Sequence, residues 1–428
     1  MSAGISSSPP AIAQTATATT PVSVILFAAT LYPALLCLFH THFFRVVTST
    51  VGIAEFLIYL ACVAVLIRPV RIEFIIIATL MIAYLLLLTL FRGEIELKGF
   101  RDVVIPVLFY WVGRQVGSMA YADKMLRRLI WVVLAVGLLE LFFLDWYSWL
   151  FNIFSYYFSQ GINTMPTNFV SDSVLNVNGI RPEGIGRTIL PSLLGSHRVS
   201  SVFLEPVSLG NFAVIVAAWG LAKTRRDWKN GLFFFATAAV MITLSDSRYG
   251  IGAVSLMLLF RVLPLRPLNF AVSILPLICL ATLVMIGLFY QGGYDDNILG
   301  RLYASGKSLL SFNVLMLFGV EGAFRFFYDM GYPYIFTRLG LPLAVFMWFA
   351  IWIIRMPDNV GARFRMFVAL YIALILCISG TSMFALKTAG ILWFLVGSCA
   401  GRVREPKIKA WSQIGPVSLP PAEVHYAH

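Results

Sequence analysis

The chain has 428 residues, of which 59% are hydrophobic and only 12% charged, and it carries a net charge of +12 with a mean hydropathy of +0.85. Soluble domains carry about 25% charged residues, so no soluble core could hide this apolar surface, and the chain reads as a polytopic membrane protein. Its cations fall between apolar runs of about 20 residues, as in loops that flank membrane helices; nucleic acid is therefore excluded as the reason for the basic balance.

The first 20 residues are rich in Ser, Thr, Ala and Pro and contain no Lys or Arg. They read as a disordered tail, because a signal peptide would need a cationic start. About twelve apolar spans follow, near 22–39, 51–67, 72–91, 103–119, 129–145, 206–222, 231–245, 250–263, 271–289, 339–354, 366–380 and 388–400. The expected fold is all-α: one transmembrane domain over 21–403, then a tail over 404–428. Orientation follows from Lys and Arg in short loops. RPVR (68–71), KMLRR (124–128), KTRRDWK (223–229), RVLPLR (261–266), RMPDNVGARFR (355–365) and GRVREPKIK (401–409) hold more than half of the 32 cations. With an even number of spans they share one face, and both termini are cytoplasmic.

The opposite face then has two long loops, about 146–205 and 290–338. Long structured loops on one face are where a polytopic protein keeps its function. Both carry aromatic segments, WYSWLFNIFSYYF (146–158) and FRFFYDMGYPYIF (324–336), expected to lie at the interface as short helices. The five cysteines (Cys37, Cys62, Cys279, Cys377, Cys399) all fall inside apolar runs and form neither a disulfide framework nor a zinc pattern.

Neither a Gly-rich phosphate loop nor an Asp-x-Asp element occurs, so an ATP motor and the metal clamp of sugar-nucleotide transferases are not expected. Glu94-x-Glu96 and Asp295-Asp296 read as solvated acids, with cation binding the lesser alternative. No metal and no cofactor is expected. What remains is a set of arginines on the long-loop face. Arg198 lies in HRVSSVFLEP, just before the sixth span, and Arg248 lies in TLSDSRYGIG, the minimal turn between the seventh and eighth. An arginine at membrane depth costs about 2.5–3.5 kcal/mol on insertion scales, so one that persists there is a functional candidate. The competing readings are snorkelling for Arg248 and an ion pair with Glu205 or Glu183 for Arg198. Arg181, Arg187, Arg325 and Arg338 are weaker candidates, with Tyr249 and Tyr332 as further substrate contacts. Arginine suits a diphosphate because its planar fork matches phosphate oxygens in pairs. Transfer to a sugar hydroxyl also needs a base; His197, Glu205, Asp246 and Asp329 are the candidates, and spacing does not choose among them. For Asp246 the competing part is a helix cap or a partner for Arg248; for Glu205 it is the start of the sixth span.

RVSSVFLEPVSLG (198–210), LSDSRYGIGA (244–253) and LFGVEGAFRFFYDMGY…LGLP (317–342) resemble, in that order, the signature elements of Wzy-type polysaccharide polymerases and O-antigen ligases. The resemblance covers spans, loop sizes and these three short motifs. It implies a GT-C-like membrane glycosyltransferase of the bacterial inner membrane. Such an enzyme acts at the periplasmic face on undecaprenyl-diphosphate-linked oligosaccharide, without metal or nucleotide sugar. On the matching positions it makes Arg198 and Arg248 diphosphate or substrate contacts. It also implies flippase and chain-length or export proteins as partners beside the lipid bilayer. O-antigen ligases have a histidine in the last long loop, whereas no histidine occurs here between His197 and His425. That departure points to a polymerase, closest in pattern to the xanthan-type exopolysaccharide polymerases. The alternatives are a ligase, or a flippase of lipid-linked sugar, which would show mid-span charge and broken or repeated helices. Glu55 and Arg114 are the main mid-span charges in the sequence.

Overall fold

The computed structural model describes residues 12–67, 71–161, 187–195, 197–292, 297–321, 327 and 330–401. Among these residues every regular element is a helix. Twelve helices have fifteen or more residues: α1 (Ile12–His42), α2 (Thr48–Leu66), α3 (Ile72–Arg92), α4 (Leu97–Val116), α5 (Met119–Phe142), α9 (Pro206–Ala222), α10 (Trp228–Ser245), α11 (Arg248–Val262), α12 (Leu265–Phe289), α15 (Gly331–Ile353), α16 (Asn359–Ile375) and α17 (Leu386–Ala400). The shorter α6 (Leu144–Leu150), α7 (Ile153–Ser159), α8 (Pro191–Leu194), α13 (Ile298–Leu310) and α14 (Val314–Leu317) lie in the two long connections.

Local chemistry sets many of these boundaries. Ser118, Ser247, Asn297 and Asp358 each precede a helix and accept a hydrogen bond from the backbone N–H three residues on, which satisfies an otherwise orphaned donor of the first turn. Among the described residues, four helices are long and apolar enough to cross a membrane: α1 from Thr20, α2, α3 and α15. The number rises to seven if each sharply bent pair (α5 with the helix after it, α9 with α10, and the two halves of α12) counts as one span. Side chains such as Phe56, Leu80 and Leu90 point outward from α2 and α3, as helices facing lipid tails require. The protein is membrane-embedded.

Short helices appear in the first long loop as expected. In α6 and α7, Trp146, Trp149 and Phe158 face outward while Tyr147, Tyr156 and Tyr157 are buried. The second long loop is shorter than expected. Residues 331–338, read from sequence as aromatic loop, form the first half of α15, and Tyr332, Tyr334 and Phe336 are buried. Helix α15 breaks at Gly340, whose φ of 74° and ψ of 153° are non-helical, and it restarts with Pro342 in the first turn of the second half. The span expected at 339–354 is that second half. Arg338, a weaker candidate for substrate contact from sequence, lies in the first half of α15, where its guanidinium pairs within the bundle with Glu96.

Close backbone approach joins the helices. A Cβ on Gly397 would lie 2.0 Å from the carbonyl oxygen of Tyr110, and one on Gly113 would lie 2.1 Å from that of Phe394. Small residues at contacts between membrane helices allow such approach, and here they lock α4 to α17. In contrast, a Cβ on Gly52 in α2 meets nothing within 4 Å. Gly397→Ala is therefore expected to destabilise the protein by about 1–3 kcal/mol through overpacking, whereas Gly52→Ala should be neutral or slightly stabilising. Thermal unfolding of the two variants in detergent checks this; equal melting temperatures would show that α4 and α17 are not tightly locked.

Candidate functional site

The segment from Arg187 to Glu205 is pinned across the ends of α5, α9, α10 and α17 by two fully buried carboxylates. Asp246 follows the last turn of α10 with φ of 49°. Its Oδ1 accepts the backbone N–H groups of Thr188 at 3.0 Å and Ile189 at 2.9 Å. Glu140, in the last turn of α5, accepts the N–H of Ser200 at 2.9 Å and that of Ser201. Arg187 supports the same fold of chain. It is buried, and it donates to the carbonyl oxygens of Ile189, His197, Thr243 and Leu244, so it closes the carbonyl end of α10. Arg198 adds its Nε–H to the carbonyl of Ser245 at 3.1 Å. A cation at a helix C-terminus also complements the macrodipole.

All four described non-glycine residues with positive φ belong to this site: Leu190, Ser201, Leu204 and Asp246. A non-glycine residue in the left-handed region is held there at a cost of about 1–3 kcal/mol. Such residues persist only where the surroundings over-determine them, and the buried carboxylates and Arg187 do so here.

The groups expected to meet a substrate flank this clamp. Arg248 opens α11, and its Nε–H donates to Thr188 Oγ1 at 2.7 Å. Arg198 and Arg248 thus bracket the two-residue turn Asp246–Ser247. The N-terminus of α11 lies there too, and its orphan N–H groups favour anions. Gly210 in α9 passes so close that a Cβ there would lie 2.5 Å from Ser247 Oγ. His197 Nε2 lies 2.9 Å from Glu140 Oε1. An ionised carboxylate only accepts, so Nε2 carries the proton, and in the neutral ring the lone pair is on Nδ1. Nδ1 is buried without a hydrogen-bond partner among the described residues. Glu205, just before α9, pairs with Lys387 at the start of α17 at 2.8 Å and accepts from Ser208 at 2.8 Å. Burial pushes the Glu205 carboxyl up, but the Lys387 ammonium and the donors Lys387, Ser208 and Tyr157 outweigh burial and hold it below the usual carboxylate range.

A second charged network lies where α2, α3, α4 and α15 meet. Arg338 pairs with Glu96, and its guanidinium sits 4.2 Å from the Tyr334 ring centre. Tyr334 donates to Asp102 at 2.6 Å, Asp102 holds Arg101 at 2.9 Å, and Glu55 accepts from Tyr32 at 2.7 Å. Arg92 binds the carbonyls of Gly319, Thr337 and Arg338. Thr48, which opens α2, donates to the carbonyl of Gln160 just after α7 at 3.2 Å, and Tyr147 of α6 donates to that of Ser201 at 2.8 Å, so the two networks share one end of the bundle.

The structure brings together Arg187, His197, Arg198, Asp246 and Arg248, and it places Glu205 beside them. It assigns Asp246 and Arg187 to anchoring the loop backbone, the capping part weighed for Asp246 from sequence. The Tyr249 hydroxyl donates to the Tyr371 carbonyl and that of Tyr332 to the Ala373 carbonyl; both lie in helix packing rather than in this cluster. Glu96 faces Arg338, away from the cation-binding alternative. Arg181, Glu183, Arg325, Asp329, Asp295 and Asp296 lie outside the described residues. Sequence reading missed Glu140 and Lys387. The signal for Glu140 was present: a lone carboxylate in the run VVLAVGLLELFF, where an ionisable residue is a functional candidate by default. Arg114, by contrast, lies in the last turn of α4, over the Trp111 ring and 3.9 Å from Glu73.

Neither the family models, nor the curated proteins, nor the solved structures contain a match to this chain. The geometry of the site therefore carries the functional argument.

Two outcomes test the clamp. Asp246→Asn keeps a residue that tolerates positive φ but weakens charge-assisted acceptance from Thr188 and Ile189. It should cost about 1–3 kcal/mol and expose the 187–200 segment to limited proteolysis, while an unchanged digestion pattern would show that the carboxylate does not hold the loop. The Glu205–Lys387 pair gives a pH dependence of defined sign. A carboxyl lowered by folding stabilises above its unfolded pKa of about 4.3, and this stability is lost as pH falls through the lower folded value. Melting temperature should therefore drop on acidification below about pH 4, and less steeply in Glu205→Gln; parallel curves would remove the pair from the acid response.

Proposed function

We propose that the protein is a membrane glycosyltransferase that polymerises lipid-linked oligosaccharide repeat units. In this reading the twelve long helices all span the bacterial inner membrane, with the Arg198–Arg248 end at the periplasmic face. The observation that supports it most is the assembly of Arg198, Arg248, the α11 N-terminus and the His197–Glu140 pair around one clamped loop. The fixed arginines and helix N-terminus suit a diphosphate, and the oriented imidazole suits a general base.

In the reaction, a hydroxyl oxygen of the incoming repeat attacks the anomeric carbon of the growing glycan. The new C–O bond forms as the bond to the lipid diphosphate breaks, and undecaprenyl diphosphate leaves with the electron pair. His197 Nδ1 takes the hydroxyl proton, and Glu140 stabilises the imidazolium through Nε2–H. Arg198 and Arg248 stabilise charge that grows on the diphosphate, each charge-assisted hydrogen bond contributing about 1.5–3 kcal/mol. The broken α15 beside buried Arg338 is a feature that a flippase would share. The cations and base at the end of the bundle favour the enzyme.

Arg198→Lys and Arg248→Lys keep the charge but lose the planar fork. Each should lower polymer yield by about tenfold or more, the effect of one lost charge-assisted contact, with the protein still inserted. Lipid-linked glycans from a deletion strain carrying each variant give the readout. Accumulated single repeats support the polymerase, repeats retained on the cytoplasmic side point to a flippase, and normal polymer from both variants overturns the diphosphate role.

A further inference from the structure

Near the start of α5, at the end remote from Glu140, a cavity of about 460 Å³ opens beside α10. Lys124, Arg127 and Arg128 line it, with Asp123, Trp131 and Asn230. Arg127 is fixed: it donates from Nη2 to Asn230 Oδ1 at 2.7 Å, and its guanidinium lies 4.9 Å from the Phe233 ring centre. The nearby acids are engaged elsewhere. Asp123 accepts from Lys223 Nζ at 2.6 and 2.8 Å on its two oxygens, and from Trp219 Nε1 at 2.6 Å. Asp227 accepts from the Asn230 amide at 2.6 Å. Among the described residues no acid forms an ion pair with Lys124, Arg127 or Arg128. The pocket is therefore strongly cationic.

Depth and side-chain order select its occupant. The chain bends by 116° after Phe142 into the next helix, where Trp146 and Trp149 face outward as interfacial aromatics do. The stretch of α5 from Arg128 to Phe142 is about 21 Å long at a rise of 1.5 Å per residue, short of a hydrocarbon core about 30 Å thick. The cations thus lie at or below the headgroup level of the opposite leaflet. A charge at that depth draws in water or an anion, and the anion that a bilayer itself supplies there is a lipid phosphate. Lys124, Trp131 and Leu138 follow one another along one face of α5 at seven-residue spacing, and all three are exposed. Cation, aromatic and aliphatic come in the order of the phosphate, glycerol backbone and acyl chain of a phospholipid. The Trp131 and Phe233 rings, 6.1 Å apart, form the apolar floor between α5 and α10. A soluble phosphate or an acidic peptide would make no use of that apolar continuation.

We propose that an anionic phospholipid of the leaflet beside the start of α5 is a bound component of this protein. Its phosphate is held by Lys124, Arg127 and Arg128, and one chain lies over Trp131 and Phe233. Basic pockets between membrane helices take such headgroups. The lipid ties the start of α5 to the start of α10, the two helices at whose far ends Glu140 and Asp246 clamp the loop. The pocket is distinct from Arg198 and Arg248, and the proposal stands whatever reaction the protein carries out.

Lipid retention by the purified full-length protein tests this. The protein is incubated with dioleoylphosphatidylglycerol or dioleoylphosphatidylcholine, and retained lipid is counted by native mass spectrometry. Wild type is expected to retain phosphatidylglycerol in preference to phosphatidylcholine. Lys124 and Arg128 are exposed, so Lys124→Gln and Arg128→Gln leave the fold intact. Each should weaken phosphatidylglycerol retention by about tenfold, the effect of one lost charge-assisted contact. Arg266→Gln removes an exposed cation from the first turn of α12 and, as the charge-matched control, should change nothing. Equal retention of the two lipids by wild type, unchanged retention in both pocket variants, or an equal loss in Arg266→Gln overturns the pocket. Displacement of phosphatidylglycerol from wild type by an equal concentration of inorganic pyrophosphate would make a soluble phosphate the occupant and overturn the lipid.

Discussion

Two carboxylates buried at helix ends, Glu140 and Asp246, govern the site. Each accepts backbone N–H groups of a segment whose described regular structure is limited to single helical turns. Low local dielectric makes such a buried group strongly unfavourable if unpaired and strongly organising if satisfied. The loop from Arg187 to Glu205 therefore takes one path, and that path places His197, Arg198 and Thr188 against the turn that bears Arg248. The positive φ angles of Leu190, Ser201, Leu204 and Asp246 are consequences of the same constraint.

Glu140 joins structure to chemistry. The carboxylate that holds Ser200 and Ser201 also meets His197 Nε2 at 2.9 Å. Anchoring the loop and choosing the histidine tautomer are thus one interaction. The arrangement parallels that of metal-free hydrolytic sites, in which a buried acid orients an imidazole while separate donors await developing negative charge. Here the fixed donors beside the imidazole are the arginines Arg198 and Arg248.

The Arg338–Glu96–Asp102–Arg101 chain has a different part. Taking charges from water carries a large desolvation cost, so a buried pair is weak evidence for stability. These charges adjoin the Gly340 break in α15. They set the geometry of one end of the bundle, where Arg101 lies between Asp102 and Glu55.

Composition alone determined that the chain lives in a membrane, because an apolar content of 59% with 12% charge cannot be buried in a soluble core. Periodless apolar runs between cation clusters placed most helices, and the minimal turn bearing Arg248 and the loop around Arg198 were legible as short polar breaks. The path of that loop was not legible, since residues 60 apart such as Glu140 and Ser200 meet only through packing of helix ends. For the same reason Arg187 and Asp246, read as substrate and base candidates, prove to anchor backbone. The first half of α15 reads as interfacial from sequence because its aromatics suit a membrane surface, whereas Tyr332, Tyr334 and Phe336 are buried against the bundle. Tertiary structure decided which charged groups anchor loop backbone and which pair across helix interfaces, because in a membrane bundle that choice depends on which partner lies across the interface.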